Sequence, residues 1–289
     1  MPITAMTPPS PATDLQRLLD RLATDEAGAV LVRVGRTWGS VPRESGTWMA
    51  VCRDEVIGTI GGGMLEWRAI AQARAALADP AVALPAVQPV ALGPSLGQCC
   101  GGRLELIFER VRAADAERLR TALAATLRPL ALFGGGHVGR AIVQALAPLP
   151  YAVHWIDSRD EVFPAALPAN VLAEHSDPVH AAVDALAPGS HVLVMSFSHA
   201  EDLDIVAACL QRRRVRGDLR FVGLIGSRTK WARFAHRLAA RGYTEAELAG
   251  VTCPIGIPGI TGKTPAVIAA SVVAQLLLVD SGSTAPASG

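Results

Sequence analysis

The sequence predicts an α/β protein: a doubly wound parallel sheet in the C-terminal half, preceded by a smaller N-terminal α+β domain. Three observations predict it. From residue 129 onward, short apolar runs alternate with stretches of helical length. The first of those runs ends in Gly134-Gly135-Gly136-His137-Val138-Gly139, a glycine turn that opens a helix. Before residue 112 the runs are instead separated by Gly and Pro turns, as hairpin strands are. The expected division is an N-terminal domain over 1–112, a helical connector over 113–128 and a Rossmann-like domain over 129–289.

Residues 1–13 are polar and Pro-rich. Thr13 reads as a helix N-cap with Gln16 at N3, and Leu15, Leu18, Leu19 and Leu22 form the apolar face. Ala29–Val34, Thr47–Cys52 and Val56–Ile60 read as strands, with Val41-Pro42 and Ser45-Gly46 between the first two. Gly61-Gly62-Gly63 ends the third run, and a helix follows from Met64 to about Ala78. Pro80 to Gly97 reads as extended or looped. Arg103 to Glu109 alternates polar and apolar, which is a strand period. Ala113 to Thr126 is Ala/Arg-rich and reads as the helical connector.

Beyond it, strands are expected at Pro129–Phe133, Tyr151–Ile156, Asn170–Leu172, His191–Ser196, Phe221–Ile225 and Val251–Cys253. Helices are expected at Gly136–Ala147, Pro178–Leu186, Glu201–Arg213, Lys230–Arg241 and Thr264–Val279. Continuous apolar strands joined by helices predict a parallel sheet covered on both faces.

Composition excludes several classes. Basic and acidic residues number 27 and 26, and this balance argues against a nucleic-acid binder. Half the residues are apolar, but the uncharged run Pro80–Gly102 is broken by four prolines and Thr264–Val279 is too short to span a bilayer. No membrane association is expected. The first residues carry no basic-then-apolar signal pattern, and five cysteines make an odd count, so a reducing cytoplasm is the expected location.

Gly134, Gly136 and Gly139 fit G-x-G-x-x-G in its full setting, after a strand and before a helix. Glycines there let the backbone turn tightly and approach a phosphate, and the helix start offers N–H groups to an anion. Asp157, ending the next strand, is placed for ribose hydroxyls, which makes NAD(P) a candidate ligand. Arg159 could accommodate a 2′-phosphate, or be a solvated charge. In the turn from Ser196 to Asp204, His199, Glu201, Asp202 and Asp204 could supply metal ligands. The plainer reading is Ser198 capping a helix with Glu201 at N3. His199 stays a site candidate.

Gly226-Ser227-Arg228-Thr229-Lys230 combines a turn, a capping hydroxyl and cations, a pattern for either an anion site or a simple cap. Gly262-Lys263-Thr264 is not a P-loop, since that motif needs glycine at position 257, which is Ile257. It still leaves Lys263 beside a helix start. In the N-terminal half, Gly61 and Gly62 form a backbone nest before a helix, with Glu66 close to the helix start. Gly97-Gln98-Cys99-Cys100-Gly101-Gly102 places two adjacent thiols between glycines. Thiolates are nucleophiles and soft-metal ligands, although zinc sites space their cysteines differently. Cys52, Cys209 and Cys253 read as ordinary buried thiols.

Taken in order, these motifs resemble the xanthine dehydrogenase accessory protein family, of the XdhC/CoxI type. The resemblance runs from about residue 14 to 279, through Gly61–Glu66, Gln98–Gly102, Gly134–Gly139, Ser198–Asp204, Gly226-Ser227-Arg228, Pro254-Ile255-Gly256 and Lys263-Thr264-Pro265. The double-cysteine form resembles the xanthine dehydrogenase branch rather than the carbon monoxide dehydrogenase relatives. The resemblance implies a chaperone, not an enzyme. Such a protein binds the molybdenum cofactor (molybdopterin), supports its sulfuration with a cysteine desulfurase and delivers it to apo-xanthine dehydrogenase. The residue-level reading is compatible with it: cofactor contacts are expected at the glycine turns, His137, Asp157, His199, Ser227, Arg228 and Lys263, with the metal near Cys99 or Cys100 in a cleft between the domains, and a homo-oligomer is expected. The competing class is an NAD(P)-dependent oxidoreductase.

Overall fold

The computed structural model describes residues 11–92, 101–123 and 127–282. The chain divides into two compact units, residues 11–125 and 126–289.

In the first unit, α1 (Pro11–Thr24) precedes β1 (Ala29–Trp38), β2 (Trp48–Val51) and β3 (Val56–Gly58). Then come α2 (Gly63–Ala78), β4 (Val87–Ala91), β5 (Arg103–Val111) and α3 (Ala116–Leu123). The strands form one antiparallel sheet in the order β3-β2-β1-β5-β4. Side chains alternate across it. Val30, Val32 and Val34 face Leu65, Ala69 and Ala73 of α2. Ala29 and Leu31 face Leu18, Leu19 and Leu22 of α1 and Leu119 and Leu123 of α3.

Three local expectations change or narrow. The first helix begins at Pro11, ahead of Thr13, because proline suits a first helical turn, where its missing N–H has no partner to lose. The stretch read as extended or looped takes the extended form over β4, and Pro89 is accommodated there because β4 is an edge strand. The helix of the expected connector buries Leu119 and Leu123 in the first unit's own core.

The second unit runs β6 (Arg128–Phe133), α4 (His137–Leu146), β7 (Tyr151–Asp157), β8 (Val171–His175), β9 (His191–Val194) and α5 (His199–Arg216). It ends with β10 (Phe221–Leu224), α6 (Arg228–Ala239), α7 (Glu245–Ala249), β11 (Val251–Thr252) and α8 (Pro265–Asp280). Its six strands are parallel, in the order β11-β10-β9-β6-β7-β8. Leu130, Leu132, Val153 and Trp155 point to α4 and α8, while Ala131, Phe133, Val192 and Val194 point to α5 and α6. Strand order reverses direction between β6 and β9, so a switch-point crevice opens at their carboxyl ends.

The stretch Pro178–Leu186 is a 3-10 helix over Val179–Ala185, held to α5 by the buried Arg212, which donates to the carbonyls of Val183 and Leu186. Helix α7 was not anticipated, although Thr244 and Glu247 make a reciprocal capping box at its start. Among the described residues, no helix is long and apolar enough to cross a membrane.

Candidate functional site

The carboxyl edge of the six-stranded sheet gathers most of the expected site residues in one unit. Gly134 follows β6 with φ +128°, and a Cβ there would lie 2.0 Å from the Met195 carbonyl oxygen. A Cβ on Gly139 would lie 2.0 Å from the Gly134 carbonyl oxygen. These two glycines let β6, β9 and α4 approach backbone to backbone. Gly136, by contrast, faces open space as the N-cap of α4.

Asp157 ends β7 and is 2% exposed. Its carboxylate is fully engaged by the chain itself. Oδ2 accepts the Gly135 N–H at 2.6 Å, and Oδ1 accepts the Arg159 N–H at 2.9 Å. The Arg159 guanidinium closes on both oxygens, Nε on Oδ1 and Nη2 on Oδ2, each at 2.9 Å. Burial opposes ionisation, but the Arg159 fork and the two N–H donors outweigh it and hold the carboxyl below its ordinary range. Arg159 is therefore not a solvated charge, as one sequence reading had it. Its guanidinium also stacks 4.6 Å from the ring of Phe197, which is 67% exposed.

The segment after β7 packs onto the glycine turn. A Cβ on Gly135 would meet both Val162 methyls at 2.7 Å, and Arg140 donates to the carbonyls of Gly135 and Val162. Ser158 donates to Glu201 at 2.7 Å. The expected capping at α5 is half realised. Ser198 accepts the Glu201 N–H, but Glu201 turns to Ser158 and leaves its second oxygen buried without a hydrogen bond.

The acids of α5 do not form a metal set. Asp202 accepts from Ser196 N–H and Oγ at 2.8 Å each and pairs with Lys230 at 2.6 Å. Asp204 pairs with Arg241. Among the described residues no three His, Cys, Asp or Glu side chains group to hold a metal ion. His199 is exposed, edge-on to Phe234. Ser227 caps α6 by accepting the Lys230 N–H, which realises the capping reading of that turn. Gly226 leaves room for the Lys230 stem to fold back toward Asp202.

Helix starts thus differ in availability. Those of α5 and α6 are capped by serine hydroxyls, whereas α4, at Gly136 and the exposed His137, and α8, at Thr264, have no side-chain cap. The loop leading to α8 is fixed from below by buried residues. Gln275 accepts the Gly256 N–H at 2.8 Å and Ser271 the Ile257 N–H at 2.7 Å. Arg228 and Lys263 are exposed on the same edge. A cavity of about 580 Å³ lies instead toward the amino ends of β6 to β8, lined by Leu130, Val153 and Leu172, and holds none of the expected residues.

The remaining candidates lie in the first unit or beyond description. Gly61 and Gly62 have positive φ, as the nest reading requires. The anion in that nest is the chain's own: Glu66 Oε2 accepts the N–H of Ile60 at 2.9 Å and of Gly62 at 3.1 Å, and the Thr59 hydroxyl at 2.5 Å. Cys99 and Cys100 lie outside the described residues. The residues bordering them are placed: Leu92 donates to the Gly102 carbonyl, and a Cβ on Gly102 would lie 2.2 Å from the Ser40 carbonyl oxygen. Pro42 and Arg43 in turn touch the Gly61 position. Cys52 and Cys209 are buried thiols, pushed up by burial to about 11 and about 12. Cys253 is half-buried and pushed to about 11, chiefly by burial against the opposing effect of Lys230.

Sequence reasoning missed Phe197, Val162, the pairing of Lys230 with Asp202 and the second role of Arg159. The Asp-x-Arg spacing at a strand end was the available signal for the last.

Fold and site together define a class: an antiparallel-sheet unit followed by a glycine-loop unit of Rossmann type. Residues 130–276 match the family description "XdhC Rossmann domain", and residues 22–84 match "XdhC and CoxI family". The chain belongs to the XdhC family. Among curated relatives, the uncharacterized protein YqeB of Escherichia coli K12 is 30% identical over 244 residues, 83% of this chain and 41% of that protein. The chain thus spans about two fifths of that relative's length. A Bacillus halodurans crystal structure described as a xanthine dehydrogenase superposes with a TM-score of 0.73 at 18% identity, covering 95% of this chain and 98% of that one, a likeness of fold.

Proposed function

We propose that the chain is an accessory protein that carries the molybdenum cofactor, supports its sulfuration and delivers it to apo-xanthine dehydrogenase in the cytoplasm. The observation that carries this reading is the match of both units to one family. The cargo is an anionic pterin phosphate whose metal is held by soft sulfur ligands. The uncapped starts of α4 and α8, with Arg228 and Lys263 exposed on the same edge, have the chemistry to hold its phosphate. Cys99 and Cys100 are proposed for the metal end, since thiolates suit a soft metal. A cysteine desulfurase is the proposed sulfur source, and a homo-oligomer the proposed assembly.

The reading as an NAD(P)-dependent oxidoreductase has less support. The glycine turn is formed, but the acid meant for ribose is engaged by Arg159. The test is metal and pterin analysis of protein purified from molybdenum-replete cells, beside Cys99→Ser/Cys100→Ser. The wild type is expected to carry molybdenum and pterin and to activate the apo-dehydrogenase, and the double variant to lose both. A wild type without cofactor, or a double variant that binds and activates undiminished, sinks the cargo reading or the cysteine role respectively.

A further inference from the structure

A dinucleotide on a doubly wound sheet needs two things at this crevice besides the glycine turn. It needs a polar partner at the end of the second strand, a free carboxylate for the ribose hydroxyls of NAD or a free arginine for the 2′-phosphate of NADP, and an apolar face for its base. Both exist here, after β7 and after β9, and a single side chain covers both. Arg159 binds the two oxygens of Asp157 at 2.9 Å each and lies 4.6 Å over the Phe197 ring.

We propose that Arg159 is a built-in occupant of the nucleoside position and the residue that closes this crevice to dinucleotides. Three features support it. The fork is planar and bidentate, so it matches the carboxylate as a pair of ribose hydroxyls would and adds charge. The second Asp157 oxygen also accepts the Gly135 N–H, which draws a donor of the glycine turn away from any pyrophosphate. Val162 and Arg140 pack against the same turn, so the Arg159 segment is anchored on both sides of the carboxylate. An Asp157 that is 2% exposed cannot exchange this partner for a neutral diol without losing its compensating charge. The assignment is independent of whether the chain carries a pterin.

NADH and NADPH, titrated against the full chain by calorimetry and nicotinamide fluorescence, test it. The wild type is expected to show no saturable binding of either below about 1 mM. Arg159→Ala frees the carboxylate and the Phe197 face, and is expected to bind NADH at least about tenfold more tightly than the wild type. Arg159→Lys, which cannot fork or stack as arginine does, is expected to gain less, and serves as the reading if the alanine variant is unfolded by circular dichroism. Adding Asp157→Asn to either is expected to remove the gain. Saturable binding of either nucleotide to the wild type below that concentration overturns the proposal. So does a folded Arg159 variant that binds NADH no better.

Discussion

Lys230 places its ammonium 2.6 Å from Asp202 Oδ2 and so joins the first turn of α6 to the first turn of α5. Both side chains are nearly enclosed, and the same ammonium donates to the Ile225 carbonyl at 2.8 Å. Asp202 in turn holds the Ser196 turn through two bonds. Removing one partner strands the other charge. Asp202→Ala and Lys230→Ala are each expected to cost about 3–5 kcal/mol. The double variant is expected to cost less than the sum, because the two report one interaction. Urea unfolding of the three variants measures this. Additive losses, or losses below about 1 kcal/mol, would show the pair to be a solvated contact.

The glycines of one motif separate by function. Gly134→Ala and Gly139→Ala each drive a Cβ to 2.0 Å of a carbonyl oxygen, and Gly134 adds a left-handed φ. Both variants are expected to fail to give folded protein, or to lose more than about 4 kcal/mol. Gly136→Ala meets open space at φ −70° and is expected to change stability by no more than about 0.5 kcal/mol. Thermal melts compare them. A severely destabilised Gly136→Ala would contradict the geometry.

Glu66 supplies the anion of the Gly61–Gly62 nest. Glu66→Ala leaves the Ile60 and Gly62 N–H groups without their acceptor and is expected to cost about 1.5–3 kcal/mol. An added inorganic phosphate should recover part of that loss in the variant and not in the wild type, because only the variant has a vacant nest. Melting curves with and without phosphate decide it, and equal phosphate effects on both proteins would refute the assignment.

His191 is wholly buried at the amino edge of the sheet, beside Asp280, Tyr151, Phe221 and Arg220. Burial lowers its pKa below the ordinary 6.5, against the pull of Asp280, whose charge already meets Arg128 and Arg220. The imidazole stays neutral in the fold while the unfolded chain takes up the proton. Stability is therefore expected to fall as pH drops below about 6.5 and to level off below the folded value. His191→Gln should flatten that part of the pH–stability curve. An unchanged slope between about pH 6.5 and 5 would reject the role.

The strands of the second unit and all its helices except α7 were legible to within about three residues, because buried parallel strands are continuous apolar runs and their helices are framed by Gly, Ser and Pro. The anticipated Ser198 and Ser227 caps are formed, since a cap depends only on neighbours in sequence. Strand β4 was less legible because Pro89 argues against a strand until its edge position is known. The partners of Asp157 and Glu201 were not legible in full. Each could have been a ligand contact, and the choice was made by Arg159 and Ser158.

The order of elements other than β4 and α7, the parallel sheet and the glycine turn follow from the sequence alone, since periodicity, turn chemistry and the steric freedom of glycine are properties of a short stretch of chain. The tertiary structure decided which helix starts remain available. Folding turns Glu66 into the Gly62 nest and draws the Gly135 N–H onto Asp157, while α4 and α8 keep N-termini without side-chain caps. A backbone N–H accepts whichever acceptor the fold brings within reach, and that choice depends on contacts between residues far apart in the chain.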